Sequence, residues 1–412
     1  MKKLFITLIV VVALCLVLPK IFGGIIKAEY HNTLSQLNQH PAIKAKINAF
    51  TIDWFSGRAT SEITFLIADD DIEEISIIIE DTLDFGPIIL ADEKLQFAMS
   101  YVKSSVKLNT DVGEFNQRVT NFIDKNVQLT SLFTFSKDVI SKLEVASINE
   151  TIDGESIHSK PAYGEFTLSD MRDFDGVFNW GGMTISKENT RVKLGAVSLE
   201  SSQQAINGNY FQGNTLSTGY FKLMVESMTV DEGGQEALLT MNGLSMNADS
   251  TVNDNLMEVG VNYRIDELTS AGEVFSNADF DLKVIRLDVD TMQEANDIFA
   301  NLTNDIDQLS SQDNMVKFSE LAQKLIAKEP KLIVENLSVD TSEGKVKSDL
   351  VVSIDKEVFD AKNIMSIMAA ISAKANGSSP EALLSKYGLD ALVNHYIEQG
   401  LLVREKADYS KP

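Results

Sequence analysis

A single cysteine, Cys15, stands in the 412 residues, and it sits inside an apolar N-terminal run. The rest of the chain offers no thiol for a disulfide, a thiolate metal site or a cysteine nucleophile. Leu14 precedes it, where a lipid-modified cysteine wants a small residue, so a lipoprotein reading fails as well. Proline is scarce, at seven residues, and no stretch rich in Pro, Gly or Ser marks a linker. The four histidines, His31, His40, His158 and His395, are not spaced as metal ligands on one element. Also missing are the G-x-S-x-G elbow, the H-E-x-x-H helix, the phosphate-binding glycine loop and the dinucleotide fingerprint. Positive charge is short: 36 Lys and Arg face 60 Asp and Glu, a net charge of -24. A body this acidic repels phosphate backbones and anionic headgroups, so no nucleic-acid partner is expected.

What the chain does have begins at its first residues. Lys2 and Lys3 precede an uncharged apolar run over residues 4–18, and Pro19, Lys20 and a second apolar stretch, 21–26, follow. The first run alone spans about 22 Å, short for a bilayer, whereas continuing through Ile26 gives about 34 Å, which is enough. A cleaved signal peptide would need small residues at both positions before the cut. The available pairs, Ile21 with Gly23 and Phe22 with Gly24, do not provide them. Residues 1–27 therefore read as an uncleaved membrane anchor and 28–412 as the body it carries. Lys2 and Lys3 favour a cytoplasmic N-terminus under the positive-inside rule. The expected address is a bacterial inner membrane, crossed once, with the body in the periplasm.

From about residue 50 to 290 the chain reads as strand after strand. Met257, Val259, Val261, Tyr263 and Ile265 alternate with mostly polar neighbours, and so do Val346, Leu350, Val352 and Ile354 with theirs. Turn signals separate such runs, among them Gly181 with Gly182, Asn242 with Gly243, and Glu343 with Gly344. Short connections of this kind predict a mainly β, α+β fold: an N-terminal transmembrane helix, an extended, largely antiparallel sheet, a helical pair and a C-terminal helix. The pair falls at about 291–328. Thr291 and Glu294 form a capping-box pattern at its start, and Pro330 follows its end. The last helix falls at about 380–400, with Leu383, Leu384, Leu392, Tyr396 and Ile397 on one face and Gly388 as a weak point. Both are expected to pack into the core.

Candidate chemistry is sparse. The tetrads beginning at Ser104 and Ser353, with Lys107 and Lys356, have serine-hydrolase spacing but lie on strand-like segments. Asp69, Asp70, Asp71, Glu73 and Glu74, and separately Asp170, Asp173 and Asp175, are carboxylate clusters that read as solvated turns. No catalytic residue, cofactor site or metal site is assigned. Ile75, Ile77, Ile79, Ile88 and Leu90 stand out differently, because apolar residues there run at consecutive positions. Such strands are covered on both faces, by the protein itself or by a ligand, and these five are the candidate groove-lining residues.

The order of several motifs resembles the YdgA-like proteins, a bacterial envelope family without an assigned biochemical function. Trp54, Phe55, Ser56 and Gly57 lead into a strand after the anchor, and Asp84, Phe85, Gly86 and Pro87 follow an apolar one. A glycine-and-aromatic hairpin runs from Gly164, Glu165 and Phe166 to Trp180, Gly181 and Gly182, and a helix ends at Glu329 and Pro330. Family members commonly carry Arg-Gly where this chain has Ile52 and Asp53, and His where it has Phe85. The second departure speaks against a catalytic role at that point. The resemblance implies a location and an architecture, and carries over no active site.

The function these readings favour is non-enzymatic: an anchored envelope protein that binds an amphiphile or another envelope protein through an apolar groove. Homo-oligomerisation through the N-terminal helix is a third arrangement. The competing reading is a hydrolase of envelope polymers working through paired carboxylates.

Overall fold

The computed structural model describes residues 2–40, 42–66, 74–91, 93–109, 113–152, 154–208, 210, 215–233, 237–302, 312–360, 363 and 366–404. It is mainly β, with 20 strands in one sheet and two in a separate hairpin among these residues.

Helix α1 (Lys2–Leu37) opens the chain. The strands β1 (Ile43–Ile52), β2 (Ser56–Leu66) and β3 (Glu74–Phe85) pair in order. After the hairpin β4 (Ile88–Ala91) and β5 (Lys94–Phe97), β6 (Ser100–Asn109) pairs with β3. Helix α2 (Gly113–Asn126) leads to β7 (Val127–Phe133) and β8 (Val139–Val145), which extend the row. Then β9 (Ile148–Ile152) and β10 (Glu155–Ser159) leave it, while β11 (Ala162–Ser169) and β12 (Asp173–Trp180) continue from β8. The strands β13 (Met183–Lys187) and β14 (Thr190–Leu194) build on β10, and β15 (Val197–Ala205) builds on β12.

The two rows meet on β16 (Ser217–Glu232), whose first part pairs with β15 and whose last part pairs with β14. Long hairpins carry the sheet onward through β17 (Leu239–Asn253), β18 (Leu256–Ser270) and β19 (Glu273–Asp288). Helices α3 (Val289–Leu302) and α4 (Gln312–Ile326) interrupt it before β20 (Lys331–Thr341) and β21 (Gly344–Ile354). The short α5 (Ile367–Ala370) precedes the edge strand β22 (Ile371–Ser378), and α6 (Glu381–Lys386) and α7 (Asp390–Glu398) follow. Every pairing among the described residues is antiparallel.

The alternating runs at 257–265 and 346–354 are strands β18 and β21, and Glu343 with Gly344 closes a hairpin. Four expectations need correction. Asn242 and Gly243 make no turn. They lie inside β17, where Gly243 takes φ +65 and the pairing to β16 skips a residue. A left-handed glycine serves a bulge as readily as a turn, and Asp266 would collide with any side chain there. The helical pair starts at Val289, and its cap is Asp288, not Thr291. Asp288 Oδ1 accepts from Thr291 N at 3.0 Å and from Thr291 Oγ1 at 2.7 Å. The C-terminal helix is two, broken at Gly388 with φ +70, and neither piece buries a residue. Finally α2 has no counterpart in the sequence reading. The cluster at 69–73, and residues 303–311 of the expected helical pair, lie outside the described residues.

Among the described residues no helix is long and apolar enough to cross a membrane. The body holds the second half of α1. Ile26 is 1% exposed and packs in one cluster with Ala59, Leu83, Phe85, Met99 and Val102. Two glycines permit this approach. A Cβ on Gly23 would meet Ile52 Cγ2 at 2.9 Å and Phe85 Cε2 at 3.0 Å, and one on Gly57 would meet Phe85 Cζ at 3.0 Å. The Phe85 ring is thus received between helix and strand with no room for a side chain on either. Phe22, Gly23 and Ile26, counted above toward a bilayer span, pack on the body.

Polar contacts fasten the same helix. Trp54 Nε1 donates to Leu16 O at 2.6 Å, one turn before Pro19, and Lys20 Nζ donates to Ile52 O at 3.2 Å. Farther along, Tyr30 donates to Asp81 Oδ2 at 2.8 Å and its hydroxyl lies 2.9 Å from Ser61 Oγ. Ser104 donates to the other oxygen, Asp81 Oδ1, at 2.6 Å. The amide of Asn38 pairs with both backbone groups of Ala45, at 2.6 and 2.7 Å.

Burial pushes the Asp81 carboxyl up from its ordinary range, although the bonds from Ser104 and Tyr30 oppose this. Burial likewise pushes the Tyr30 phenol far up, so it remains a donor. A carboxyl raised in the folded state weakens the fold as pH rises through that raised value, and the penalty disappears once it is protonated. Tyr30→Phe leaves the buried carboxylate with one partner fewer and raises it further. The expected cost is about 1–3 kcal/mol at neutral pH, shrinking as pH falls into the carboxylate range. Denaturation at the two pH values measures it; an equal loss at both would contradict this account of Asp81.

Candidate functional site: an apolar cleft beside the N-terminal helix

Helix α1 does more than cap the first strands. Between it and the face of β7, β8, β11, β12 and β15 lies a cleft of about 910 Å³. Ile25 and Ile26 line the helix side, and Met99, Phe133, Val139, Phe166, Leu168 and Phe174 line the sheet side. From Ile25 to Gln36 the helical wall runs about 16 Å. It changes character on the way, from two isoleucines to Glu29, Asn32, Thr33 and Gln36.

The floor is made by an aromatic pair lying on glycines. The rings of Phe166 and Phe174 stack at 6.2 Å with 20° between planes. A Cβ on Gly176 would meet Phe166 Cδ1 at 2.8 Å and Phe174 Cζ at 3.0 Å, and one on Gly164 would meet Phe166 Cε2 at 2.9 Å. Gly176 sits opposite Phe166 on the neighbouring strand. Without side chains at 164 and 176, Phe166 can lie flat on the sheet and leave space above it. The aromatic in turn covers glycine backbone that would otherwise face water.

Two side-chain oxygens of lining residues, Gln36 Oε1 and the Tyr210 hydroxyl, are closed off from solvent, and Gln36 Oε1 has no partner among the described residues. Burial pushes the Tyr210 phenol up, and Asp173 and Asp175 add to the effect, so it stays protonated. A hydrogen bond from Ser217, whose Oγ also lies 3.4 Å from Gln203 Oε1, opposes that shift. A buried donor or acceptor without a partner costs about 1–3 kcal/mol. The cleft therefore offers apolar walls, with Glu29, Asn32, Lys137 and Asp170 also lining it. That combination suits a molecule with an apolar tail and a polar head.

The five residues singled out from sequence lie elsewhere. Ile75, Ile77 and Ile79 are half-buried on β3, and none of them lines the cleft. Ile88 and Leu90 are exposed on β4, while Ile89 between them is buried. The seryl tetrads are dispersed as well. Ser104 bonds Asp81 whereas Lys107 pairs with Glu80 at 2.6 Å, and Lys356 pairs with Glu329 at 3.4 Å. Asp170 forms part of the β11–β12 turn, with Asp173 and Asp175 on β12. His158 bonds Asn149, and His395 bonds Gln399 within its own helix, far apart along the chain.

Two of the motifs noted in the sequence meet at α1. Trp54 holds Leu16, and Phe85 fills the gap between Gly23 and Gly57. The family profile described as "Bacterial protein of unknown function (DUF945)" matches residues 1–404. The chain belongs to the DUF945 family. No curated protein and no solved structure matches it. Within this DUF945 chain, the signal for the cleft was the glycine-and-aromatic hairpin at 164–182. Gly181 and Gly182 read as a turn signal in the sequence, whereas Gly164 and Gly176 are strand residues that make room for Phe166.

Proposed function

We propose that this DUF945 chain is a membrane-anchored, periplasm-facing envelope protein of the YdgA-like kind, and that it holds an amphiphile in the cleft beside α1. The observation that carries the reading is the cleft itself: apolar walls on α1 and on the sheet, with the charged residues Glu29, Lys137 and Asp170 among those that line it. Its apolar wall begins at Ile25, close to the turn where the body takes hold of α1. A tail drawn from a bilayer around residues 4–18 would meet that wall first. The role is binding, not catalysis. The buried carboxylates of the described residues, Asp81 and Asp288, are each engaged: Asp81 by Tyr30 and Ser104, Asp288 by Thr291 and Lys328. A hydrolase would need such a group open to its substrate.

Titrating the detergent-purified chain with dansyl-undecanoic acid tests the binding. Saturable blue-shifted emission at one probe per chain is expected, and a linear, unsaturable response would reject it. The location is tested separately. Alkaline phosphatase fused after residue 412 should be active, because Lys2 and Lys3 hold the N-terminus inside. A dark phosphatase with a bright cytoplasmic reporter would reverse the topology.

A further inference from the structure

The hairpin β4–β5 is apolar on its outer face. On the inner face Ile89 and Ala91 pair with Gln96 and Lys94, and with Ala98 they are buried against Tyr101 and Leu132. On the outer face Ile88 pairs with Phe97 and Leu90 with Leu95, and these are 49%, 68%, 72% and 65% exposed respectively. A hairpin with one wet face should carry polar residues there. Instead, four large apolar side chains form one continuous patch.

The patch does not stand alone. The hairpin begins just after Phe85, whose ring meets α1 at Gly23. Trp54 and Phe55, both more than half exposed, lie at the tip between β1 and β2, where Trp54 bonds Leu16 O. Phe135, equally exposed, lies 5.8 Å from Phe22. Two segments distant in sequence thus bring exposed apolar residues to one stretch of α1, between Leu16 and Gly23, where Val17 and Ile21 are also exposed, and the hairpin leaves the body just after the Phe85 that packs on the same stretch.

We propose that this end of the body is a lipid-contact surface, with the β4–β5 hairpin entering the bilayer boundary beside the helix. The inference rests on the anchor reading above and adds a second membrane contact to it. What selects lipid as the occupant is continuity with the apolar run and the length of helix left free. The body holds α1 from Leu16 onward, so residues 4–16 supply about 20 Å against a hydrocarbon core of about 30 Å. A span that short draws adjoining apolar surface into the interface. Trp and Phe are the residues suited to that depth. The net charge of -24 disfavours a purely electrostatic approach to an anionic surface, so insertion is the contact that remains.

The test uses the full chain with Cys15→Ser and one added cysteine, Leu90→Cys or, as a distant exposed control, Ser342→Cys. Each is spin-labelled and reconstituted into vesicles of phosphatidylethanolamine and phosphatidylglycerol. At position 90 the label should collide with oxygen and be shielded from an aqueous nickel chelate; at 342 the order should reverse. A label at 90 as open to nickel as the one at 342, in protein that survives a carbonate wash, would overturn the proposal while leaving the anchor standing. Dipolar broadening at 90 would also overturn it, showing that a second copy covers the patch. Oxygen-facing labels at 90 in protein that carbonate strips away would support the surface and remove the anchor.

Discussion

Gly23→Leu is expected to destabilise the protein by about 2 kcal/mol or more, the range of an overpacked core. The sign is the informative part. Leucine is a better helix former than glycine by about 0.8 kcal/mol, so a helix with Gly23 facing lipid or water would be stabilised slightly. Here a Cβ alone would come within 2.9 Å of Ile52 Cγ2 and 3.0 Å of Phe85 Cε2, and neither can retreat easily. Phe85 is buried and also confined by Gly57. Leucine must therefore lift α1 from the sheet, which loosens one wall of the cleft as well. A lowered melting temperature in mild detergent, with new proteolysis near residues 38–42, is the expected outcome. An unchanged or raised melting temperature would mean that α1 does not pack on the body at Gly23.

Phe174→Glu acts on the opposite wall, and its effect should fall on binding more than on folding. Phe174 is half-buried, stacked on Phe166 and edge-on to Tyr210 at 6.4 Å. A glutamate there can turn toward the open side of the cleft and stay hydrated, so the stability cost is modest. A bound tail loses an aromatic contact worth about 1.5–3 kcal/mol and meets a charge in its place. Affinity for dansyl-undecanoic acid should fall at least about tenfold. Wild-type affinity in a variant that melts normally would place the probe elsewhere.

Much of the sheet was legible because its strands are long and have one better-buried face. Alternation at Met257, Val259 and Val261 predicts β18, and the residues around Glu343 and Gly344 predict the β20–β21 hairpin. Less legible were features for which one residue pattern serves two structures. Asn242 and Gly243 suit a turn or a bulge, and only the pairing of β17 with both neighbours decides. Residues 21–26 are apolar and small enough to face lipid or a protein interior, and hydropathy treats the two alike. The glycines carry the difference, since Gly23 is needed only if Phe85 is there. The C-terminal stripe misled in the reverse direction: Tyr387, Leu392 and Tyr396 keep helical spacing yet remain exposed. The cleft was the least legible feature. Its walls come from segments around 25–36, 133–141, 166–174 and 203–210, and each is locally an ordinary helix or strand. Consecutive isoleucines at Ile77 and Ile79 drew attention to β3, although the cleft lies across other strands.

That an amphiphile occupies this cleft is tested most directly by light-driven crosslinking with a diazirine-bearing fatty acid, followed by peptide mapping. Saturable adducts should concentrate on the peptides carrying Met99, Phe133, Phe166 and Phe174, and should weaken sharply in Phe174→Glu. Adducts confined to the peptides of Ile88 and Phe97, or labelling that never saturates, would contradict the assignment of the cleft.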